Sequence, residues 1–150
     1  VAWAILLGVL GALLTRLDAW YYTLRFPEWK PPDWAFGPIW TAIFVLAAIA
    51  FVLAWNAPDA DSRRRVMLIA AYVANGMLNM FWSFLFFLRH RPDWAFTETA
   101  LLWLSIGMMI AVVAPLSSLG AALLLPYLLW VSLAWALTRA VVRLNGPFAA

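Results

Sequence analysis

The sequence predicts an all-α membrane protein: a five-transmembrane-helix bundle, one domain over residues 1–150, with a Trp/Pro-rich first loop acting as its lid. Three observations predict it. Hydrophobic residues make up 67% of the 150 and charged residues 11%, with a mean hydropathy of +0.89; an ordinary soluble domain carries about 25% charged residues. The charges that are present fall between or just beyond long apolar runs. Finally, residues 20–44 read WYYTLRFPEWKPPDWAFGPIWTAIF. Indole rings favour the membrane–water boundary, and Pro27, Pro31, Pro32 and Pro38 remove backbone donors, so this stretch should be a stiff, irregular loop over the mouth of the bundle.

Counting charge-free runs places each helix, because a span needs about 20 largely apolar residues. The first helix, about 1–17, is apolar but short, as a truncated N-terminus or the thinner end of a bundle would make it. Residues 34–58 and 66–88 are free of charge and supply helices at about 34–55 and 66–88. Forty uncharged residues from Thr99 to Thr138 are enough for two spans, divided by the turn signals of Pro115-Leu-Ser-Ser-Leu-Gly120. The fourth and fifth helices therefore run at about 94–114 and 119–144, with Pro126 kinking the fifth. Arg16, Arg25, Lys30, Arg89, Arg91, Arg139 and Arg143 share one side, against Arg63, Arg64 and Arg65 on the other, which puts the N-terminus outside. The sequence leaves the host membrane undetermined.

The composition also excludes function classes. The net charge of +3 fits topology and anionic lipid rather than nucleic acid, which needs a basic face with base-reading groups. With no cysteine there is no thiolate nucleophile or thiolate metal site. His90 is the only histidine and lies between Arg89 and Arg91, so it reads as solvated loop charge and no metal site is expected. Glu98 opens the fourth span, where a carboxylate suits a helix N-terminus; Asp59 and Asp61 should cap the third helix. No acid–base pair, triad or phosphate loop is visible, so no conventional catalytic residue is assigned.

What remains is a set of stripes at helical spacing. Phe36, Trp40, Phe44, Ala47, Phe51 and Trp55 form one on the second helix. Tyr72, Asn75, Asn79, Ser83 and Phe86, with Trp82 beside them, form another on the third, and Tyr127, Trp130, Ala134 and Thr138 one on the fifth. Buried amides avoid lipid, so the third-helix stripe faces protein or a cavity. Two readings stay open: ordinary helix packing, and convergence on an apolar pocket with a few polar anchors. Trp29 and Trp34 are likewise either interface anchors or part of a lid. Gly8 with Ala12, Ala70 with Ala74 and Gly107 with Ala111 offer close helix approach, within a subunit or between two.

The motif carried by Trp20, Tyr21, Leu24, Pro27, Trp29, Pro31, Pro32, Trp34, Phe36, Pro38, Trp40 and Thr41 resembles that of the translocator protein family, also called tryptophan-rich sensory proteins or peripheral benzodiazepine receptors. Asn79, Trp82, Phe86 and Phe87 resemble its third-helix signature, and Pro126, Tyr127, Trp130 and Ala134 its fifth. The resemblance spans the whole chain. It implies five helices around a cavity that binds porphyrins such as protoporphyrin IX and haem, sterols, or synthetic benzodiazepine-type compounds, with no obligatory cofactor. It also implies receptor or sensor activity, homodimers in some members, and light-dependent porphyrin breakdown in some bacterial ones, for which Trp40 and Trp82 would be the photochemical residues. The ligand-binding set is then Trp29, Trp34, Phe36, Trp40, Phe44, Asn79, Trp82, Phe86, Tyr127, Trp130 and Ala134, with Arg25 or Lys30 for the propionates. A transporter of porphyrin, sterol or other lipophile is the alternative. Phe26, Phe44 and Thr138 depart from the family pattern, and no tyrosine follows Tyr127 to build a steroid motif.

Overall fold

Four helices long and apolar enough to cross a membrane, with a shorter apolar helix before them, make up the chain in a computed structural model that describes residues 2–15 and 17–148. The first helix, α1, is Ala2–Leu14. Its 13 residues rise about 20 Å, well short of the roughly 30 Å hydrocarbon core. It is thus the short apolar first helix that was expected at about 1–17; Val1 and Arg16, included in that expectation, lie outside the described residues.

The first loop is less irregular than its prolines suggested. A short helix, α2 (Ala19–Thr23), forms because the Asp18 carboxylate accepts the Tyr21 backbone N–H at 3.1 Å. The next helix, α3 (Asp33–Trp55), begins straight after Pro32 and contains Pro38, so the last of the four prolines is helical. Pro32, extended and with its φ fixed by the ring, delivers the chain to that start, and no helical hydrogen bond needs the donor it lacks.

Asp61 caps α4 (Ser62–Ser83), accepting the Arg64 N–H at 2.7 Å, while Asp59 contributes its carbonyl, which accepts from the Asp61 N–H and the Arg64 guanidinium. The helix then widens into a π-turn, Phe84–Leu88, closed by the Arg89 N–H donating to Phe84 O at 3.0 Å. His90, with φ of 52°, reverses the chain into α5 (Pro92–Val113), whose first position is Pro92.

The last span is two helices: α6 (Ser118–Leu123) and α7 (Leu125–Asn145). Pro126 has no N–H to give Ala122, so the ladder breaks at Leu124 instead of kinking within one helix. Three regions of core result, the smallest of them Tyr21, Leu85, Phe86 and Ala95 beneath the first loop. Away from the first loop, Ala47, Ala50, Ala54, Leu68, Met109, Val113 and Leu124 close-pack across α3, α4, α5 and α6. Nearer the loop, Leu7, Ile43, Phe44, Leu102, Ile106, Tyr127 and Val131 surround larger rings.

Within the subunit, close helix approach occurs at glycines other than those in the small-residue pairs. A methyl group built on Gly76 would lie 3.0 Å from Trp3 Nε1, and one on Gly120 2.9 Å from Val113 Cγ1. Ala70, Ala74 and Ala111 are exposed, and a methyl group on Gly107 would meet nothing within 4 Å.

Candidate functional site

The three aromatic stripes end at a common space. On α3, Phe36, Trp40 and Phe44 lie on one face at spacing four; on α4, Asn79, Trp82 and Ser83 face them; on α7, Trp130, Ala134 and Thr138 complete the wall. The cavity they bound has a volume of about 370 Å³. Ligand pockets run from about 300 to 1,000 Å³, so this one is of binding size and at the lower end.

The π-turn shapes the upper wall. An α-helix turns neighbouring side chains about 100° apart, but the wider turn here brings both Phe86 and Phe87 to the cavity. Trp82 stacks on Phe86 at 5.1 Å with an interplanar angle of 19°, and its indole N–H donates to Thr99 Oγ1 at 3.0 Å. Trp40 meets Phe44 at 5.3 Å and Tyr127 edge-on at 5.9 Å. The walls are thus rings held by other rings, with few rotamers left to adjust.

Of the eleven predicted side chains, eight line the cavity: Phe36, Trp40, Phe44, Asn79, Trp82, Phe86, Trp130 and Ala134. Tyr127 lies one layer below. Its hydroxyl donates to Asn75 Oδ1 at 3.1 Å and accepts from Asn79 Nδ2 at 3.2 Å, and Asn75 Nδ2 donates to Ser105 Oγ at 2.9 Å. This chain ties α4, α7 and α5 together and forms a polar floor whose only cavity-facing member is Asn79.

Trp29 and Trp34 do not reach the cavity; they are 51% and 76% exposed. The loop contributes Leu17, Tyr21 and Phe26 instead. Trp34 is in the first turn of α3, and its helix phase sends it outward, the position of an interface anchor. Lys30 is not free for a ligand carboxylate: its ammonium pairs with Asp33 at 2.5 Å and lies 4.8 Å from the Phe26 ring. Asp33, which lines the cavity, also accepts from the Tyr21 hydroxyl at 2.8 Å. Burial and this carboxylate push the Tyr21 phenol up, so it stays a donor. Arg25 is exposed and outside the lining; its backbone N–H donates to Asn145 Oδ1 and its carbonyl accepts from Asn145 Nδ2, clasping the loop to the end of α7.

His90 is a second clasp rather than a solvated charge. Its ring stacks on Trp20 at 4.1 Å, and Nε2 lies 3.3 Å from Asp18 Oδ2. Glu98 is not at the start of its helix. It sits in the second turn of α5, 4% exposed, with both carboxylate oxygens unpartnered, while Asp93 takes the first turn and chelates Arg91.

Sequence reasoning missed the α1 wall. Leu7, Gly8, Gly11, Ala12 and Thr15 line the cavity, and a methyl group built at Gly8 would meet nothing within 4 Å. The spacing of Gly8, Gly11 and Ala12 was a usable signal, although it reads equally as helix packing. Among the described residues, no cluster of histidine and carboxylate groups could hold a metal ion.

The chain has relatives in sequence. The chain matches the TspO/MBR family over residues 1–144. It is 37% identical over 142 residues to the tryptophan-rich protein TspO of Chlorobaculum tepidum, covering 92% of this chain and 88% of the relative. Identity is 33% over 132 residues with the translocator protein of Bos taurus (85% and 76% covered) and 30% over 135 residues with the tryptophan-rich sensory protein of Cereibacter sphaeroides (90% and 82%). With these matches and its apolar helices, the chain belongs to the TspO/MBR family of integral membrane proteins.

Proposed function

We propose that this protein is a membrane receptor or sensor whose cavity binds a flat, apolar tetrapyrrole such as protoporphyrin IX or haem. The observation that carries the reading is the convergence of Phe36, Trp40, Phe44, Trp82, Phe86 and Trp130 on one space with Asn79 as polar anchor. Flat aromatic faces supply contact area without hydrogen-bond demands, which suits a macrocycle. A tetrapyrrole is bulkier than the cavity of about 370 Å³, so the loop residues Tyr21 and Phe26 at its edge would have to shift to admit it. Its propionates would have to approach Arg25 or displace Asp33 from Lys30.

A binding role suits the floor better than a conducting one. Directly below the cavity, Asn75 is fully buried in the hydrogen-bond chain, and Ala47, Ala50, Ala54 and Leu68 have no exposure at all. Any chemistry on the guest would be photochemical, with Trp40 or Trp82 as electron donor, and would require light and oxygen.

The test is a fluorescence titration of the solubilised protein with protoporphyrin IX. Binding should saturate, and Trp40→Ala should weaken it by about 1–3 kcal/mol, the worth of one aromatic stacking face. Unchanged affinity in both Trp40→Ala and Trp82→Ala would overturn the assignment.

A further inference from the structure

We propose that the cavity is loaded sideways from the bilayer, through the seam between α3 and α7, and that the Trp130 indole is the gate. The proposal rests on the reading that the cavity receives an apolar guest. On the outer face of the bundle a shallow groove runs along this seam, bounded by Ala42 and Leu46 from α3 and Pro126, Leu129 and Leu133 from α7. Every one of these side chains is apolar, and both helices belong to membrane-crossing segments, so the groove opens onto lipid hydrocarbon rather than water. Among the described residues, Trp130 alone borders both this groove and the inner cavity. On the α3–α7 side of the bundle, one indole is therefore the partition between lipid and binding site.

The seam is also built to part. The contacts α7 makes with α4 and α5 include hydrogen bonds, from Tyr127 to Asn75, from Asn79 to Tyr127 and from Trp103 to Ser132. Among the described residues no hydrogen bond joins α3 to α7; they meet through ring edges, such as Phe36 against Trp130 at 5.4 Å and 71°. Separating such rings breaks no polar pair and exposes apolar surface only to lipid, which costs far less than exposing it to water. Pro126 adds freedom, because it has no N–H to give Ala122 and the junction between α6 and α7 lacks that ladder hydrogen bond, which leaves α7 able to tilt against α6.

Trp130 Nε1 is buried without an acceptor. An orphaned donor is costly, and a ring nitrogen or carbonyl of a passing guest would satisfy it. The guest class follows: apolar, thin enough to pass between two helices, and carrying an acceptor at its edge. A ligand confined to water would have no use for this route.

Because the chain has no cysteine, a single thiol can report on the cavity. Ser83 lines it and Ser83→Cys is nearly isosteric. The protein carrying this change is placed in phosphatidylcholine vesicles and labelled either by pyrene maleimide dissolved in the bilayer or by a charged methanethiosulfonate in the water. Trp130→Ala should speed labelling from the bilayer by about tenfold, and Ala42→Trp, which fills the groove, should slow it by about as much, with the aqueous reagent unaffected. Bilayer labelling that is unchanged in both variants, or that changes in step with the aqueous rate, overturns the portal. The measurement uses no porphyrin. Failure of the titration would thus remove the tetrapyrrole assignment alone, and equal labelling rates would remove the portal alone.

Discussion

The two halves of this bundle draw on the same residue types and reach opposite results. Toward the first loop, small residues face empty space: methyl groups built on Gly8 and Gly37 would meet no atom within 4 Å, and both glycines line the cavity. In the opposite half, small residues face bulk. A methyl group on Gly120 would crowd Val113 Cγ1 at 2.9 Å and the Ala50 carbonyl at 3.2 Å, and Ala47, Ala50 and Ala54 are wholly buried. The difference teaches that an apolar stripe is neither packing nor pocket in itself; what stands opposite decides. The α3 stripe shows both, since Phe36, Trp40 and Phe44 look into the cavity while Phe51 packs on Tyr72 at 5.0 Å and stacks on Trp55 at 5.5 Å.

The largest effect should come from opening a void in the packed half. Leu68 is fully buried among Ala47, Ala50 and Met109, so Leu68→Ala should destabilise the fold by about 2–5 kcal/mol. Reversible denaturation in mixed micelles would measure it, and porphyrin affinity measured under folding conditions should be unaltered. A loss below about 0.5 kcal/mol would mean that this half is not close-packed.

A matched pair of glycine substitutions sharpens the contrast. Gly120→Ala should cost about 1–3 kcal/mol by overpacking against Val113 and the Ala50 backbone. Gly8→Ala, with open space before it, should instead gain up to about 1 kcal/mol from helix propensity while trimming the cavity and weakening the ligand. Equal stability changes in the two proteins would erase the distinction between the halves.

Where the halves meet, Tyr127 is the shared post. Tyr127→Phe keeps the ring contacts with Trp40 and Phe44 but leaves Asn75 Oδ1 and Asn79 Nδ2 without their partner. Interhelical hydrogen bonds in membranes are worth about 0.6–2 kcal/mol, so a loss of that size is expected, with a modest fall in affinity because Asn79 becomes free to reorient. A fall in affinity as large as that of Trp40→Ala would place Tyr127 in the ligand shell.

This contrast also explains what could be read beforehand. The spans of α3, α4, α5 and α7 were legible because charge-free runs and bilayer thickness leave little choice. The eight cavity residues were legible because helical spacing puts Trp40 beside Phe36 and Phe44, and Asn79 beside Ser83. Trp29 and Trp34, for which anchor and lid were both open, lie outside the cavity lining: the outward direction of Trp34 depends on α3 starting at Asp33, set by chain geometry after Pro32, and a tryptophan serves a lid or a lipid boundary equally well. The α1 wall was missed because a glycine signals only the absence of a side chain. Nothing in its sequence neighbourhood says whether a partner helix fills the gap, as at Gly76, or leaves it, as at Gly8.

The smallest effect concerns the loop that covers the open half, where Asp18 caps α2 and meets His90. The Tyr21 backbone N–H and the His90 ring hold the Asp18 carboxyl below its ordinary value of 3.8. A group whose folded pKa is depressed stabilises the folded loop above the ordinary value and loses that contribution as pH falls through the lower folded one. Protection of the Tyr21 amide from hydrogen exchange, taken relative to its intrinsic rate, should therefore hold constant from neutral pH down to about 4 and fall below that. Asp18→Asn keeps a capping oxygen without a proton to gain, so its protection should be flat across the same range, and Asp18→Ala should lack it throughout. If wild type and Asp18→Asn lose protection together on acidification, the loop is held from elsewhere, with the Asn145 clasp on Arg25 the first place to look.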